Sequence, residues 1–336
     1  KEGSKIDLPR YRGFVLNEGT YEKNNTTISY FDAAADTTTT KLNDLFTIQN
    51  GMPLGDTGQD IIAEDGYLYV SVYGSSYVAK LNGSGVLQSK YNCNSEIGQP
   101  RYLVEEDGYL YVTTYGGYIV KLKASDLSYV DKVAVGHTPE GIAEEDGKLY
   151  CVNGNSVDGT ASDNRLAIVD IATFKVDKYV EVANNPQKVV CDDGFVFIQA
   201  YGDDWVNTPI QAYDIKTGKL TDLGYGSRIA VEDDALYVIY SKTDWNTYQT
   251  VNTFFTYNVH TLQKTDITNK VTSEVPELGS ATIYSFSVNP YDDSFYIGTT
   301  LYASGYGTIY HFGKDWSYKT KFTSWGQNPN NVVFLK

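Results

Sequence analysis

The chain has 336 residues, with 30 Tyr and 30 Gly against one Met, a balance that suits strands and turns better than helices. Its 27 basic and 42 acidic residues leave a formal charge of −15, which argues against a nucleic-acid partner, since phosphate contacts need clustered Lys and Arg. No apolar run approaches the length that spans a bilayer, so no transmembrane segment is expected.

The chain opens on a polar stretch, Lys1-Glu2-Gly3-Ser4, read as part of a disordered segment over residues 1–10 and compatible with the mature end of an exported protein. Gly13-Phe14-Val15-Leu16 then looks like the second half of a repeat that lacks its first half. Complete copies follow. IAEDGYLYV ends at Val70, VEEDGYLYV at Val112, IAEEDGKLYCV at Val152 and VVCDDGFVFI at Ile198. VEDDALYVI ends at Ile239, and the looser NPYDDSFYI at Ile297. Each is an apolar run, a tight acidic turn and a second run rich in Tyr and Val. Asp-Gly between two such runs is a strong hairpin signal, because the turn needs positive φ. The missing half lies at the far end, where NPNNVVFLK at 328–336 has the look of NNPQKVVCDD at 184–193.

Each repeat fills out to four strands; in the third copy they fall near 99–106, 109–115, 118–123 and 128–135. The matching third strands are TISYFD, YVAKLN, YIVKLK, LAIVDI, IQAYDI, FFTYNV and TIYHFG. Four short antiparallel strands repeated roughly every 40 residues predict an all-β, seven-bladed β-propeller over 11–336. It is closed by pairing of the C-terminal strand with the N-terminal blade, which removes the free edge.

In this topology the acidic turns join first and second strands. The opposite ends of the blades collect the loops between second and third strands: 19–26, 73–77, 115–118, 153–165, 201–209, 240–252 and 299–307. All but 153–165 carry a Tyr or Trp. Rings with adaptable polar neighbours form recognition surfaces, although about half of these rings are expected only to cover the blades. The ligand-binding candidates on these loops are Tyr21, Tyr73, Tyr115, Trp205, Trp245, Tyr248 and Tyr302. A second set follows the chain-breaking Gly58, Pro100, Pro139, Pro186, Gly226 and Pro329, where each innermost strand begins. Its candidates are Gln59, Arg101, Gln187 and Arg228, polar residues in otherwise apolar strands that ring a channel mouth, either as the polar floor of a ligand site or as the solvated lining that any propeller channel has.

Catalytic signatures are absent: no G-x-S-x-G, no P-loop and no Cys–His motif. His137, His260 and His311 fall in different repeats, and none is assigned to catalysis or to a metal. Asp158, Asp163 and Asn164 have oxygen ligands for Ca²⁺ but read first as a solvated polar loop. Asp60 and Glu140 are the only candidates for the acidic residues that would hold a channel-bound metal in a lactonase-type hydrolase. Cys93, Cys151 and Cys191 read as buried free thiols. The expectation is a non-enzymatic chain with no cofactor.

GFVLNEGTYEKNNTTISYFD at 13–32, with LGDTGQDI at 54–61, Pro-Arg-Tyr at 100–102 and the closing NPNNVVFLK, resembles a known family over the whole chain. It is the YVTN-type, surface-layer-like seven-bladed propellers of Bacteroidetes, which include the BtuG-type cobalamin-binding surface lipoproteins. The resemblance implies export, an N-terminal lipid anchor, a cell-surface or outer-membrane location (the periplasm as second choice) and binding rather than catalysis. It further implies capture of cobalamin or another corrinoid and delivery to an outer-membrane transporter. The chain is expected to act as a monomer. A protein–protein or glycan-binding surface is the alternative.

Overall fold

The computed structural model describes residues 3–38 and 44–336. The Asp-Gly repeats form the hairpins their sequence dictates. Asp65, Asp107, Asp146 and Asp193 have φ between 44° and 50°, and the glycine after each has φ between 77° and 84°. Two successive positive φ values make the mirror-image turn whose twist matches paired strands. In the VEDDALYVI copy Asp233 and Asp234 take φ of 51° and 61° without a glycine, a conformation that Asp tolerates better than most residues.

The strands assemble into seven four-stranded antiparallel sheets, arranged as a seven-bladed β-propeller. In blade three the strands are Pro100–Glu106, Tyr109–Thr114, Tyr118–Lys123 and Tyr129–Ala134. Second strands such as Tyr109–Thr114 and Phe195–Ala200 are buried after their first residue, as strands covered on both faces must be. Blade one takes its innermost strand from the C-terminus. Pro329–Leu335 pairs antiparallel with Arg12–Asn17, matching Phe14 to Val333 and Val15 to Val332. The predicted offset closure is therefore present.

The chain divides into two compact units. The first holds blades one, two and seven together with the 123–129 turn, tied in by Tyr69 Oη on the Ala124 carbonyl and Lys80 Nζ on the Ser125 carbonyl. Its core joins Phe14, Leu16, Ile28, Leu68 and Val70 to Leu45 and Phe46 of a short helix, Leu45–Asn50. Asp44 caps that helix, and Gly51 ends it at φ 71°. Ile6 and Leu8, within the stretch expected to be disordered, pack against this core; their alternation lets one face of the segment bury apolar surface. The second unit holds the rest of blade three and blades four, five and six, with a core that includes Tyr111, Leu149, Val196 and Leu236. Its helix Thr268–Glu274 lies in the crossing that follows blade six. Cys151 is buried and Cys93 and Cys191 are half-buried; all three are free thiols, and burial pushes each one up, Cys93 to about 12.

One feature of the first strands sets up the site. Register shifts fall near the start of six of them: between Gly58 and Asp60, Pro100 and Leu103, Pro139 and Ile142, Pro186 and Lys188, Ile283 and Ser285, and Pro329 and Asn331. A bulge leaves residues outside the ladder and re-aims their side chains. Gln59, Arg101, Tyr102, Glu140 and Gln187 all occupy such positions. In blade six the strand starts at Arg228, in register with Ile239, so Gly226 precedes it rather than opening it.

The acidic turns crowd one another. Burial raises the Glu106 carboxyl, helped by Glu144 and Asp107, and burial with Asp146 and Asp192 raises Glu145. A carboxyl raised in the fold stabilises it below the unfolded-state pKa, and that contribution is lost as pH climbs through the raised value. At neutral pH the crowding therefore opposes folding. Glu106→Gln is expected to raise the melting temperature at pH 7 by about 1–3 °C, with no gain near pH 4. Thermal denaturation at both pH values checks this, and a lowered midpoint at pH 7 would contradict it.

Candidate binding site

In the second unit the bulged residues of blades three, four and five converge. Arg101 Nε donates to Glu140 Oε2 at 2.9 Å, with the two side chains only 14% and 4% exposed. Tyr115 Oη donates to Glu140 Oε1 at 2.5 Å, and its ring lies 4.6 Å from the Arg101 guanidinium carbon. Thr113 Oγ1 holds the Glu140 carbonyl at 2.7 Å. Burial works against the Arg101 charge, but Glu140, Tyr102 and Tyr115 outweigh it and leave the guanidinium above its ordinary pKa. Gly141 is what lets blade five close in here: a Cβ would sit 2.8 Å from the Gln187 carbonyl oxygen.

The charge then continues through aromatic rings. Lys188 Nζ lies 3.9 Å from the centre of the Tyr102 ring, whose other cationic neighbour is Arg101. Gln187 Nε2 donates to Asn185 Oδ1 at 2.8 Å, which also accepts the Asn155 N–H. Burial raises the Tyr201 phenol; Arg228 and Lys188 oppose that shift while Tyr102 and Glu140 add to it, so these side chains share one field. Trp205 stacks on Tyr201 at 4.3 Å and 15°, and its outer face stays open, leaving the residue 60% exposed.

Blade six corrects the reading of 240–252 as a loop. Its central strands, Ala235–Asp244 and Gln249–Asn258, stay paired from Ala235↔Asn258 to Asp244↔Gln249. Ten-residue strands, against six in blades two to four, carry the hairpin about 13 Å further. Polar alternation such as Ser241-Lys242-Thr243 forms a strand here because its partner supplies the hydrogen bonds. Asn252 anchors the hairpin by donating to the Leu278 and Ala281 carbonyls at 2.8 and 2.7 Å. Trp245 and Tyr248 crown the tip, 63% and 79% exposed. Trp205 (φ 60°) and Tyr248 (φ 56°) are held in the left-handed region, which costs about 1–3 kcal/mol for a bulky residue and marks sites where structure outside the residue imposes the conformation.

The first unit has its own, less charged set. Tyr21 and Tyr73 pair at 6.4 Å, and Glu18 accepts from Tyr284 Oη at 2.9 Å and Asn330 Nδ2 at 3.3 Å. Gln59 is half-buried, and its carbonyl accepts from Asn330. Tyr302 is exposed beside Thr300, with φ 53°. The structure thus brings Arg101, Tyr115, Gln187, Trp205 and Arg228 into one neighbourhood of the second unit and sets Trp245 and Tyr248 on the adjoining hairpin. Tyr21, Gln59, Tyr73 and Tyr302 belong to the first.

The remaining polar candidates are engaged locally. Glu140 is committed to Arg101 and Tyr115, while Asp60 accepts the Ile61 N–H. Asp163 grips Arg165 through two hydrogen bonds, and Asp158 holds Ser156 and Thr160. His137 is exposed in the crossing before Pro139. Sequence reasoning overlooked Glu18, Tyr201 and Tyr284. Only Tyr201 had a signal, as the ring opening the Trp205 loop.

No protein-family model matches the chain, and no curated protein matches it significantly. Solved structures do share the fold. A functionally unknown protein from Desulfotomaculum acetoxidans is 12% identical with a TM-score of 0.64, covering 96% of this chain and 98% of its own. Virginiamycin B lyase from Staphylococcus aureus is 13% identical at TM-score 0.58, covering 79% and 83%. BamB from Moraxella catarrhalis is 11% identical at TM-score 0.54, covering 98% and 92%. At these identities the likeness establishes the β-propeller and nothing finer.

Proposed function

We propose that the chain is a non-catalytic, exported binding protein that captures a bulky polar ligand at the loop end of blades three to six, with a corrinoid as the leading ligand. The observation that carries this is the convergence of Arg101, Lys188 and Arg228 with Tyr102, Tyr115 and Tyr201 beside strained, outward-facing rings. A corrinoid is a broad macrocycle rimmed with amides and bearing a phosphodiester. Rings such as Trp205 supply area for its face, and the cations supply donors for its amide oxygens and phosphate. The resemblance to the cobalamin-binding surface lipoproteins supports the same ligand, together with a cell-surface location, a lipid anchor and hand-over to an outer-membrane transporter. Against hydrolysis, the Glu140 carboxylate is already occupied by a buried cation and a phenol.

A glycan-binding surface is the second reading, favoured by the exposed rings of Trp205, Tyr225, Trp245 and Tyr248, which suit flat sugar faces. Trp205→Ala and Tyr248→Ala are each expected to weaken cyanocobalamin binding by about tenfold, the worth of one lost ring contact. Their melting temperatures should stay unchanged, because both side chains are exposed. Wild-type affinity in both variants would remove these rings from the site.

A further inference from the structure

The turn end of blades five and six carries an arrangement that ligand capture does not use. We propose that Asp193, Asp234 and His260 bind a transition-metal dication of the Zn²⁺ class. Asp193 comes from the hairpin turn of blade five, Asp234 from that of blade six, and His260 from the turn between the third and fourth strands of blade six. Their ligand atoms all lie within 4.8 Å of one another.

His260 Nε2 is 3.0 Å from Asp193 Oδ2 and 3.5 Å from Asp234 Oδ1. The longer distance is poor for a hydrogen bond. It suits a tetrahedral site, where metal–ligand bonds of about 2.0–2.1 Å put neighbouring ligand atoms about 3.3–3.5 Å apart. The imidazole is already placed for this. Its backbone N–H donates to Asn258 Oδ1 at 2.9 Å, and the ring packs edge-on against Phe195 at 5.7 Å.

Two further observations distinguish this cluster from an ordinary acidic turn. Asp192 Oδ2, next in chain to the first ligand, is sealed from water with no hydrogen-bond partner among the described residues. The same carboxyl accepts the Asp234 N–H, which places a third acidic side chain against the turn that carries the second ligand. In blade seven, Lys314 stands where blade six has His260, and it pairs with Asp293 at 3.2 Å. Blade six replaces that ammonium, which cannot ligate while charged, with an imidazole, and blade five adds the second carboxylate. One nitrogen with two carboxylate oxygens selects Zn²⁺, Co²⁺, Ni²⁺ or Cu²⁺ over Ca²⁺ and Mg²⁺, which take oxygen ligands.

The test is calorimetric titration of the full chain with ZnCl₂ in a non-chelating buffer at pH 7.5. One Zn²⁺ per chain is expected, with affinity lowered by about tenfold or more in His260→Ala and in Asp234→Asn. Excess Ca²⁺ should not compete. Co²⁺ should give visible absorption that His260→Ala abolishes. All three residues are exposed, so the metal-free variants should melt as the parent does. Absence of Zn²⁺ binding up to millimolar concentration, or binding unaffected by His260→Ala, would overturn the proposal.

Discussion

Deletion of residues 328–336 is expected to unfold the first blade and drive the protein into aggregates. Pro329–Leu335 is the innermost strand of that blade, and its loss frees the ladder edge of Arg12–Asn17. An exposed apolar strand edge is a template for pairing with other chains. The deletion also removes Val332 and Phe334 from a cluster with Val15, Phe31 and Tyr296. Hydrogen bonds to both neighbouring blades vanish with it: Asn330 and Asn331 donate to the Gly58 and Ile61 carbonyls at 2.9 Å, and Ser287 Oγ donates to Asn331 Oδ1 at 3.0 Å. Phe334→Ala is the milder probe, with an expected cost of about 3–5 kcal/mol. Size-exclusion chromatography and thermal melting decide it. A truncated protein that stays monomeric with an unchanged midpoint would refute closure through this strand.

The second large effect belongs to Glu140. Glu140→Ala removes the carboxylate that pairs with the buried Arg101 guanidinium and accepts from Tyr115 Oη, a loss of about 3–5 kcal/mol. Replacing both members of the pair with Met should recover much of that loss, because the desolvation penalty goes with the charges. Urea denaturation of the single and double variants separates the cases. If Glu140→Ala is as stable as the parent, the pair contributes nothing to the fold. The double variant also probes function: it should remain folded yet bind cyanocobalamin weakly, since Arg101 and its hold on Tyr115 are gone.

The blades were legible because the repeats encode their hairpins in the alternation of apolar residues and, in four of them, also in an Asp-Gly turn, at Gly66, Gly108, Gly147 and Gly194. The breaks at Pro100, Pro139 and Pro186 marked where innermost strands begin, so Arg101, Glu140 and Gln187 stood out as polar residues in apolar strands; the bulges at those positions left no separate signal. What escaped has physical reasons. The helices Leu45–Asn50 and Thr268–Glu274 are under two turns long, too short for a 3.6-residue period to register. The extended hairpin of blade six carries polar residues on strands that gain little burial, and so it reads as loop. Partnerships between blades, such as Glu18 with Tyr284 or His260 with Asp193, depend on how repeats pack and leave no trace in any single repeat. The packed Ile6 and Leu8 show the same thing at the N-terminus, where two apolar residues suffice once a core is there to receive them.

The most direct measurement is calorimetric titration of the intact protein with cyanocobalamin, run beside the Trp205→Ala variant. The account predicts one-to-one binding that weakens when the ring is removed. No heat of binding at tens of micromolar ligand, with the protein folded and monomeric, would contradict corrinoid capture.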